Sequence, residues 1–463
     1  EGVYCAQLPH LVLLKDTDGD GKADSREILL SGFDDHDTHH AISSFSADPS
    51  GAIYMCEGTF LHSNVETPTG PSRNFGGGFF RYDPRTRSLE KSARLGLPNP
   101  WGVAVDDWGQ NFFIVARNFQ WMLPGTVKTK YGQFAPTPEA LVKTDIVRPS
   151  CGVEFVSSRH FPDEVQGDVL INNTIGFRGA KQHQIEENGT GYSLTARHDL
   201  FFSEDGNFRP ADLEFAPDGS LYVIDWHNVL IGHMQHSARD PLRDHDHGRI
   251  YRITYPSRPL VKPAKIAGAP LATLFDNLKL PEYRSRYRTR RELRGREAKE
   301  VLPALKQWVA KLDENDPRHE HYLLEALWVS WGAGQIDQDY LAHCLDAKDH
   351  RARAAAVNVL RYSGSQISNK PALLTTSAGD EHSRVRLETI IAASWMSKDA
   401  GLPILEAAAA APMDDLLKKT YEIALAQLKG EEIAAPKEEK LVFPKHIRGK
   451  QRRGYARGHK VYL

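Results

Sequence analysis

Twelve residues near the start of the chain, from Asp16 to Glu27, have the spacing of a calcium-binding loop. Oxygen ligands stand at positions 1, 3, 5, 9 and 12, and Gly21 stands at position 6, where such loops turn sharply. A polar hairpin turn is the alternative, because Asp and Gly also dominate turns. Carboxylates packed this densely repel one another without a cation. The sequence therefore predicts a Ca²⁺ site whose ligands are Asp16, Asp18, Asp20, Lys22 (through its carbonyl), Asp24 and Glu27.

Three histidines follow the loop, at positions 36, 39 and 40, in a segment that also contains three aspartates. Histidine titrates close to neutral pH, so a histidine in a cleft can act as a general base. We expect His40 to have this role. Histidine and aspartate clusters also bind metals, or satisfy one another by hydrogen bonds, and both alternatives stay open. Arg209 precedes a later motif as His40 precedes the first one, and we expect it to project toward the same region.

The segments that must position these residues repeat a strand–turn–strand pattern. Turns rich in Asp, Pro and Gly, centred on Gly51, Gly109 and Gly219, each separate two short apolar runs. The first two glycines are 58 residues apart and the last two are 110 apart, about twice that spacing. A period of roughly 55 residues with several strands per unit is typical of a β-propeller. Residues 1–256 are predicted to form a six-bladed type of propeller that lacks its first part; an irregular β-sandwich is the alternative.

The pattern changes at about Ala267, where glycine becomes rarer and apolar residues recur at intervals of three and four. Three such segments begin near Tyr322, Ala352 and Val385, 30 and 33 residues apart. This spacing is typical of helix-pair repeats of the HEAT type. Residues 267–430 are predicted to form an all-α HEAT-like solenoid, and residues 431–463 a linker or tail.

A dense polar segment joins the two regions, with five His, four Asp and three Arg between Asp225 and Arg249. Its spacing fits no standard zinc motif, and salt-bridged closure of the ring is the simplest interpretation. The four cysteines, Cys5, Cys56, Cys151 and Cys344, form no CxxC pair, which excludes a zinc or haem attachment site built from them. The formal net charge is −2, and no 18-residue apolar run occurs. Neither nucleic-acid binding nor a transmembrane segment is predicted.

Several of these motifs resemble those of the soluble quinoprotein sugar dehydrogenases, which are glucose/sorbosone dehydrogenase-like propellers. The resemblance rests on three features of the sequence: His40 followed by Pro49 and Gly51, Asn99 before a proline, and Arg209 in an Arg-Pro-Ala-Asp run. It implies that His40 is the base that takes the substrate hydroxyl proton. It also implies that basic residues hold the carboxylates of pyrroloquinoline quinone; the candidates for this cofactor site are Arg209, Arg178, Lys181 and Asn99.

The whole chain also resembles the large planctomycete and verrucomicrobial proteins called membrane-bound dehydrogenases. The matching runs include the calcium-type loop, Asp37-Thr-His-His40, and Gly232-His-Met-Gln-His236. That group joins a propeller, HEAT-like repeats and a c-type haem domain. Its haem motif CxxCH is absent from these 463 residues, so haem c is expected only in a region not present here. The resemblance further implies export to the periplasm or cell surface.

Three functions are compatible with these motifs. The leading hypothesis is an oxidoreductase that oxidises a sugar or polyol hydroxyl and passes electrons to a c-type cytochrome. The second is a calcium-dependent, lactonase-like hydrolase, in which the metal polarises a carbonyl. The third is a non-catalytic propeller that binds carbohydrate or protein. The fold alone does not decide among them.

Overall fold

The computed structural model describes residues 2–37, 39–94, 99–115, 118–123, 127–129, 132–134, 150–229 and 240–431. The predicted tail lies outside the described residues except for Glu431, and so does the run from Gly232 to His236. No described helix is both long enough and apolar enough to span a bilayer.

The N-terminal region consists of short strands. They are β1 (Val3–Gln7), β2 (His10–Lys15), β3 (Ser25–Ser31), β4 (Ser43–Ala47), β5 (Ile53–Glu57), β6 (Asn64–Val65), β7 (Ser72–Arg73), β8 (Gly78–Asp83), β9 (Ser88–Arg94), β10 (Pro100–Val105), β11 (Asn111–Val115), β12 (Asn118–Met122), β13 (Val127–Thr129), β14 (Gly132–Phe134), β15 (Ser150–Phe155), β16 (Val169–Asn173), β17 (Gly179–Asn188), β18 (Gly191–Ala196), β19 (Phe201–Phe202), β20 (Pro210–Phe215), β21 (Leu221–Asp225) and β22 (Arg249–Ile253).

Five of the six sheets among the described residues follow one another along the chain, and their hairpin pairs are antiparallel; the sixth is the short pair β6-β7. Their strand orders are β1-β2-β3, β4-β5-β8-β9 (extended by β14-β13), β10-β11-β12, β15-β16-β17-β18 and β20-β21-β22. The first strands of the last four sheets, β4, β10, β15 and β20, pack side by side in chain order. Each of these inner strands has an irregularity in its pairing close to its start. Sheets radiating from adjacent inner strands are the arrangement of a propeller, as predicted.

The repeated turns share one geometry. In the first, Asp48 Oδ1 accepts hydrogen bonds from Ser50 N and Ala52 N at 2.9 and 3.2 Å. Asp106 binds two backbone N–H groups in the same way, at 2.9 and 2.8 Å. The glycines Gly51, Gly109 and Gly219 have φ angles of 83°, 82° and 81°. A left-handed backbone explains why each turn ends in glycine.

The C-terminal region is all α. Its helices are α1 (Leu271–Asn277), α2 (Tyr283–Arg294), α3 (Ala298–Val309), α4 (His319–Gly332), α5 (Gln338–Leu345), α6 (His350–Tyr362), α7 (Lys370–Ala378), α8 (Ser383–Ser394), α9 (Lys398–Ala408) and α10 (Asp415–Lys429). Arg353 in α6 donates to the carbonyls of Ala347 and Lys348, and Arg386 in α8 donates to those of Asp380 and Glu381. The same contact recurs 33 residues later, which fits a helical repeat.

The helices cover the propeller face at which the inner strands end. Trp328 of α4 packs beside Gly109, where an added Cβ would lie 3.2 Å from the ring. Arg294 of α2 pairs with Asp83 at 2.7 Å, and Arg318 pairs with Asp107 at 3.1 Å. One continuous apolar cluster contains buried residues from both regions. We call that end of the inner strands the covered end, and the opposite end, where they begin, the open end.

Candidate active-site pocket in the propeller channel

A cavity of about 520 Å³ lies between the inner strands β4, β10, β15 and β20. Aromatic side chains, Trp101 and Trp226 among them, form part of its wall. Polar and charged groups complete it, including His39, Asp212 and Arg284. A concave site with apolar walls and a few converging polar groups is the usual form of a small-molecule site.

His39, and not His40, reaches this cavity. The His39 ring stands edge-on to Trp101, with the ring centres 4.9 Å apart. Asn99 Oδ1 accepts from His39 Nε2 at 2.9 Å, so the lone pair of a neutral His39 ring is on Nδ1. Asn99, which the resemblance assigns to cofactor binding, therefore holds the pair of histidines.

His40 lies directly behind His39 and is only 5% exposed. Its Nε2 lies 3.1 Å from the same Asn99 Oδ1. Its Nδ1 lies 3.1 Å from Asp37 Oδ2, but at an angle that makes this contact electrostatic and not a hydrogen bond. An added Cβ at Gly58 would lie 2.7 Å from the His40 ring. His40 is thus enclosed, and both of its ring nitrogens face protein groups.

The cations expected at a cofactor site lie outside the cavity wall. Arg209 is buried and donates to the carbonyls of Asn228 and Thr174 at 3.0 and 3.2 Å. Its burial, together with the nearby Arg178, lowers the pKa of Arg209. Arg178 itself donates to the carbonyls of Ser203 and Glu204. Lys181 pairs with Asp199 at 3.1 Å on an outer strand.

The floor of the cavity contains a residue that sequence reasoning missed. Arg284 of α2 enters from the helical region and contacts Glu154 at 2.6 Å. It also lies 3.9 Å from Glu214. Burial raises the pKa of Glu154 and that of Asp212. The arginine-rich sequence of α2 was the available signal, but nothing in the sequence places that helix under the channel.

The calcium-type loop lies elsewhere, between β2 and β3. Side-chain oxygens of Asp16, Asp18 and Asp24 come together in it. Asp16 accepts from the backbone N–H groups of Gly19 and Gly21, at 2.7 and 2.8 Å, and these bonds lower its pKa.

Two other predicted ligands of this loop make different contacts. Asp20 Oδ1 accepts from Lys22 N at 2.7 Å. Glu27 faces Lys15 and Arg87, with its nearest contact at 3.0 Å to Arg87. The structure therefore brings together three of the five predicted carboxylate ligands, and the side chain of Glu27 points toward two cations.

A family model described as "Domain of unknown function (DUF7133)" matches residues 1–257. The chain belongs to this family. No curated protein matches. Among solved structures, one titled "glucose dehydrogenase" is similar, with a TM-score of 0.36, 14% identity, and coverage of 54% of this chain and 74% of that chain. A luciferin-regenerating enzyme has a TM-score of 0.36 and 11% identity, covering 56% of this chain and 75% of its own. These overlaps are too low to assign an activity.

A quinone with several carboxylates requires cationic groups that face it. Among the described residues of the cavity wall, the one arginine or lysine is Arg284. Its guanidinium group already pairs with Glu154. The predicted cations Arg209 and Arg178 donate to backbone carbonyls instead. The described residues therefore do not fit a pyrroloquinoline quinone cradle.

Proposed function

We propose that the channel cavity binds a sugar or polyol and that His39 accepts a proton from one of its hydroxyl groups. The observation that supports this most is the shared cavity wall of Trp101, Trp226, His39 and Asp212. The C–H face of a sugar packs on aromatic rings, and its hydroxyl groups donate to carboxylates and imidazoles. A histidine between those two kinds of surface is placed for general base catalysis.

His40 then has a supporting role. It contacts Asp37 and Asn99, and Asn99 in turn holds His39. This row of contacts fixes the orientation of the His39 ring without a direct contact between His40 and the substrate. A fixed ring lowers the entropic cost of reaching the reactive geometry.

Hydroxyl deprotonation is the step that a sugar dehydrogenase begins with, and oxidation of a sugar or polyol is the reaction class that we favour. The resemblance of the sequence motifs supports it. The c-type cytochrome partner and export stay predictions from that resemblance, whereas the described cavity wall does not favour pyrroloquinoline quinone as the acceptor of the electrons. A lactonase-like reaction has less support, since the metal-compatible clusters among the described residues include no residue of the cavity wall.

Isothermal titration calorimetry with a panel of aldoses and polyols tests the proposal. We expect one site per chain, with affinity reduced roughly two- to twelvefold in Trp101→Ala and Trp226→Ala, because each removes a stacking surface worth ~0.5–1.5 kcal/mol. Phe75→Ala is the matched control, since Phe75 is half exposed and absent from the cavity wall. Equal affinities in all three variants would contradict the proposed site.

Turnover measurements test whether His39 is the base. With a two-electron artificial acceptor present to take the hydride equivalent from the hydroxyl carbon, His39→Ala should abolish sugar oxidation while retaining sugar binding. His36→Ala, an exposed histidine paired with Asp34, should leave both unchanged. Full activity in His39→Ala would exclude His39 as the base.

A further inference from the structure

A second group of chemically active side chains lies outside the cavity wall, where the propeller meets the helices. Glu187 lies near the tip of the β17–β18 hairpin, His350 is the first residue of α6, and His382 immediately precedes α8. Each offers one ligand atom, and these atoms lie within 4.8 Å of one another. We propose that Glu187, His350 and His382 form a binding site for a divalent transition metal of the Zn²⁺ type, which fastens the propeller to the helical array.

The ligand chemistry favours this class of metal. Two imidazoles and one carboxylate are borderline-soft donors that suit Zn²⁺ or Co²⁺ better than Ca²⁺ or Mg²⁺. His350 Nε2 lies 2.9 Å from Glu187 Oε2.

Arg384 is a cation that contacts this cluster, and it does not depend on Glu187. Its side chain donates to the backbone carbonyls of Thr190 and Gly191, at 2.6 and 2.8 Å, and also to the Tyr192 hydroxyl. Its contact with Glu187 is longer, at 3.4 Å. The carboxylate can therefore turn toward a metal while Arg384 keeps its other partners, although the positive charge weakens the site.

Metal binding requires the two histidine rings to move. The two imidazole rings are stacked, with centres 3.5 Å apart and planes inclined by 16°. A metal lies in the plane of each imidazole that binds it, so the stack must open for both rings to bind the same ion. His382 Nδ1 also accepts from Arg384 N at 3.2 Å, and this bond must yield if His382 binds through Nε2. Both histidine side chains are partly exposed and lie at helix N-termini.

Titration of the whole protein with Co²⁺, in saturating Ca²⁺ to block the aspartate loop, tests the proposal. We expect one Co²⁺ per chain, with visible absorption bands of a four- or five-coordinate ion. Zn²⁺ should displace the Co²⁺ and raise the melting temperature. Glu187→Gln should weaken Co²⁺ binding at least tenfold, and His350→Ala or His382→Ala should abolish the absorption bands.

The control is His343→Ala, an exposed histidine on α5 outside the cluster, which should bind Co²⁺ like the parent protein. Circular dichroism of each variant verifies that it is folded, and Glu187→Gln, at an exposed position, tests the site even if a histidine variant unfolds. An unchanged spectrum in folded Glu187→Gln and His350→Ala would overturn the proposal. Absence of bound Co²⁺ in the parent protein would overturn it as well, and would leave the trio as a stacked, ion-paired contact.

Discussion

The two ends of the propeller's inner strands differ in how their polar groups are satisfied. At the covered end, polar groups of the turns pair with the helices, as Gln110 does with Glu388 at 3.1 Å. At the open end, Trp101, Trp226 and His39 form the wall of a cavity. The repeated turns thus stabilise the contact with the helices, whereas residues near the beginnings of the inner strands form the proposed binding site. Substitutions should separate these two roles.

The largest expected effect is at the covered end, in the helices that form it. Glu325 is fully buried between Arg286 and Arg290, with contacts of 2.9 and 2.7 Å. Glu325→Gln removes the counter-ion that two buried guanidinium groups share, although Arg286 keeps Asp107 as a partner, and it should cost about 3–5 kcal/mol. Urea unfolding, monitored by circular dichroism, measures this loss of unfolding free energy. Asp163→Ala, which breaks the exposed pair with Arg258, is the control and should leave the free energy of unfolding nearly unchanged.

A pH effect is expected from Glu57 at the open end. Burial raises its pKa from 4.5 to about 7. Because the folded-state pKa is the higher one, its stabilising contribution is full below pH 4.5 and is lost as the pH rises through about 7. The loss is at most about 3 kcal/mol. Melting temperatures of parent and Glu57→Gln should therefore differ in their pH dependence between pH 4.5 and 7, with the parent falling more steeply. Parallel curves of melting temperature against pH for the two proteins would contradict the raised pKa of Glu57.

A smaller effect is expected at the repeated turn. Gly109→Ala places a Cβ 3.2 Å from both Pro49 and Trp328, on a backbone with φ of 82°. Strain and crowding together should cost ~1–3 kcal/mol. Gly167→Ala has the same φ sign with no neighbour within 4 Å, so it isolates the backbone strain of about 1 kcal/mol. Equal losses of unfolding free energy in the two variants would show that the helices do not press on this turn.

The smallest effect is expected from the aspartate loop. Asp16→Asn removes a carboxylate that binds Gly19 N and Gly21 N on an exposed loop. We expect Ca²⁺ to raise the melting temperature of the parent and not of Asp16→Asn. Glu27→Gln should keep most of the Ca²⁺ response, because Glu27 pairs with Arg87. Loss of the whole Ca²⁺ response in Glu27→Gln would show that Glu27 is a ligand, as the twelve-residue spacing predicts.

The sequence predicted what depends on local pattern. The Asp/Gly turns identified the blades because a left-handed residue at a fixed offset requires glycine, and the 33-residue spacing identified the helical repeat. Glu27 shows the limit of motif spacing, because it lies within β3, where strand pleating fixes the direction of its side chain. His39 and His40 are adjacent, and which of them enters the channel depends on contacts with Asn99, 60 and 59 residues away. Arg284 reaches the cavity from the other region, a long-range contact that no local pattern encodes.

The most direct test of the account is a crystal structure of the protein soaked with the sugar that binds most tightly in calorimetry. The account predicts density for a sugar ring in the channel cavity, packed on Trp101 or Trp226, with one hydroxyl within hydrogen-bond distance of His39. Density at another surface, with the cavity unchanged, would contradict the proposal that the open end of the propeller is the sugar site.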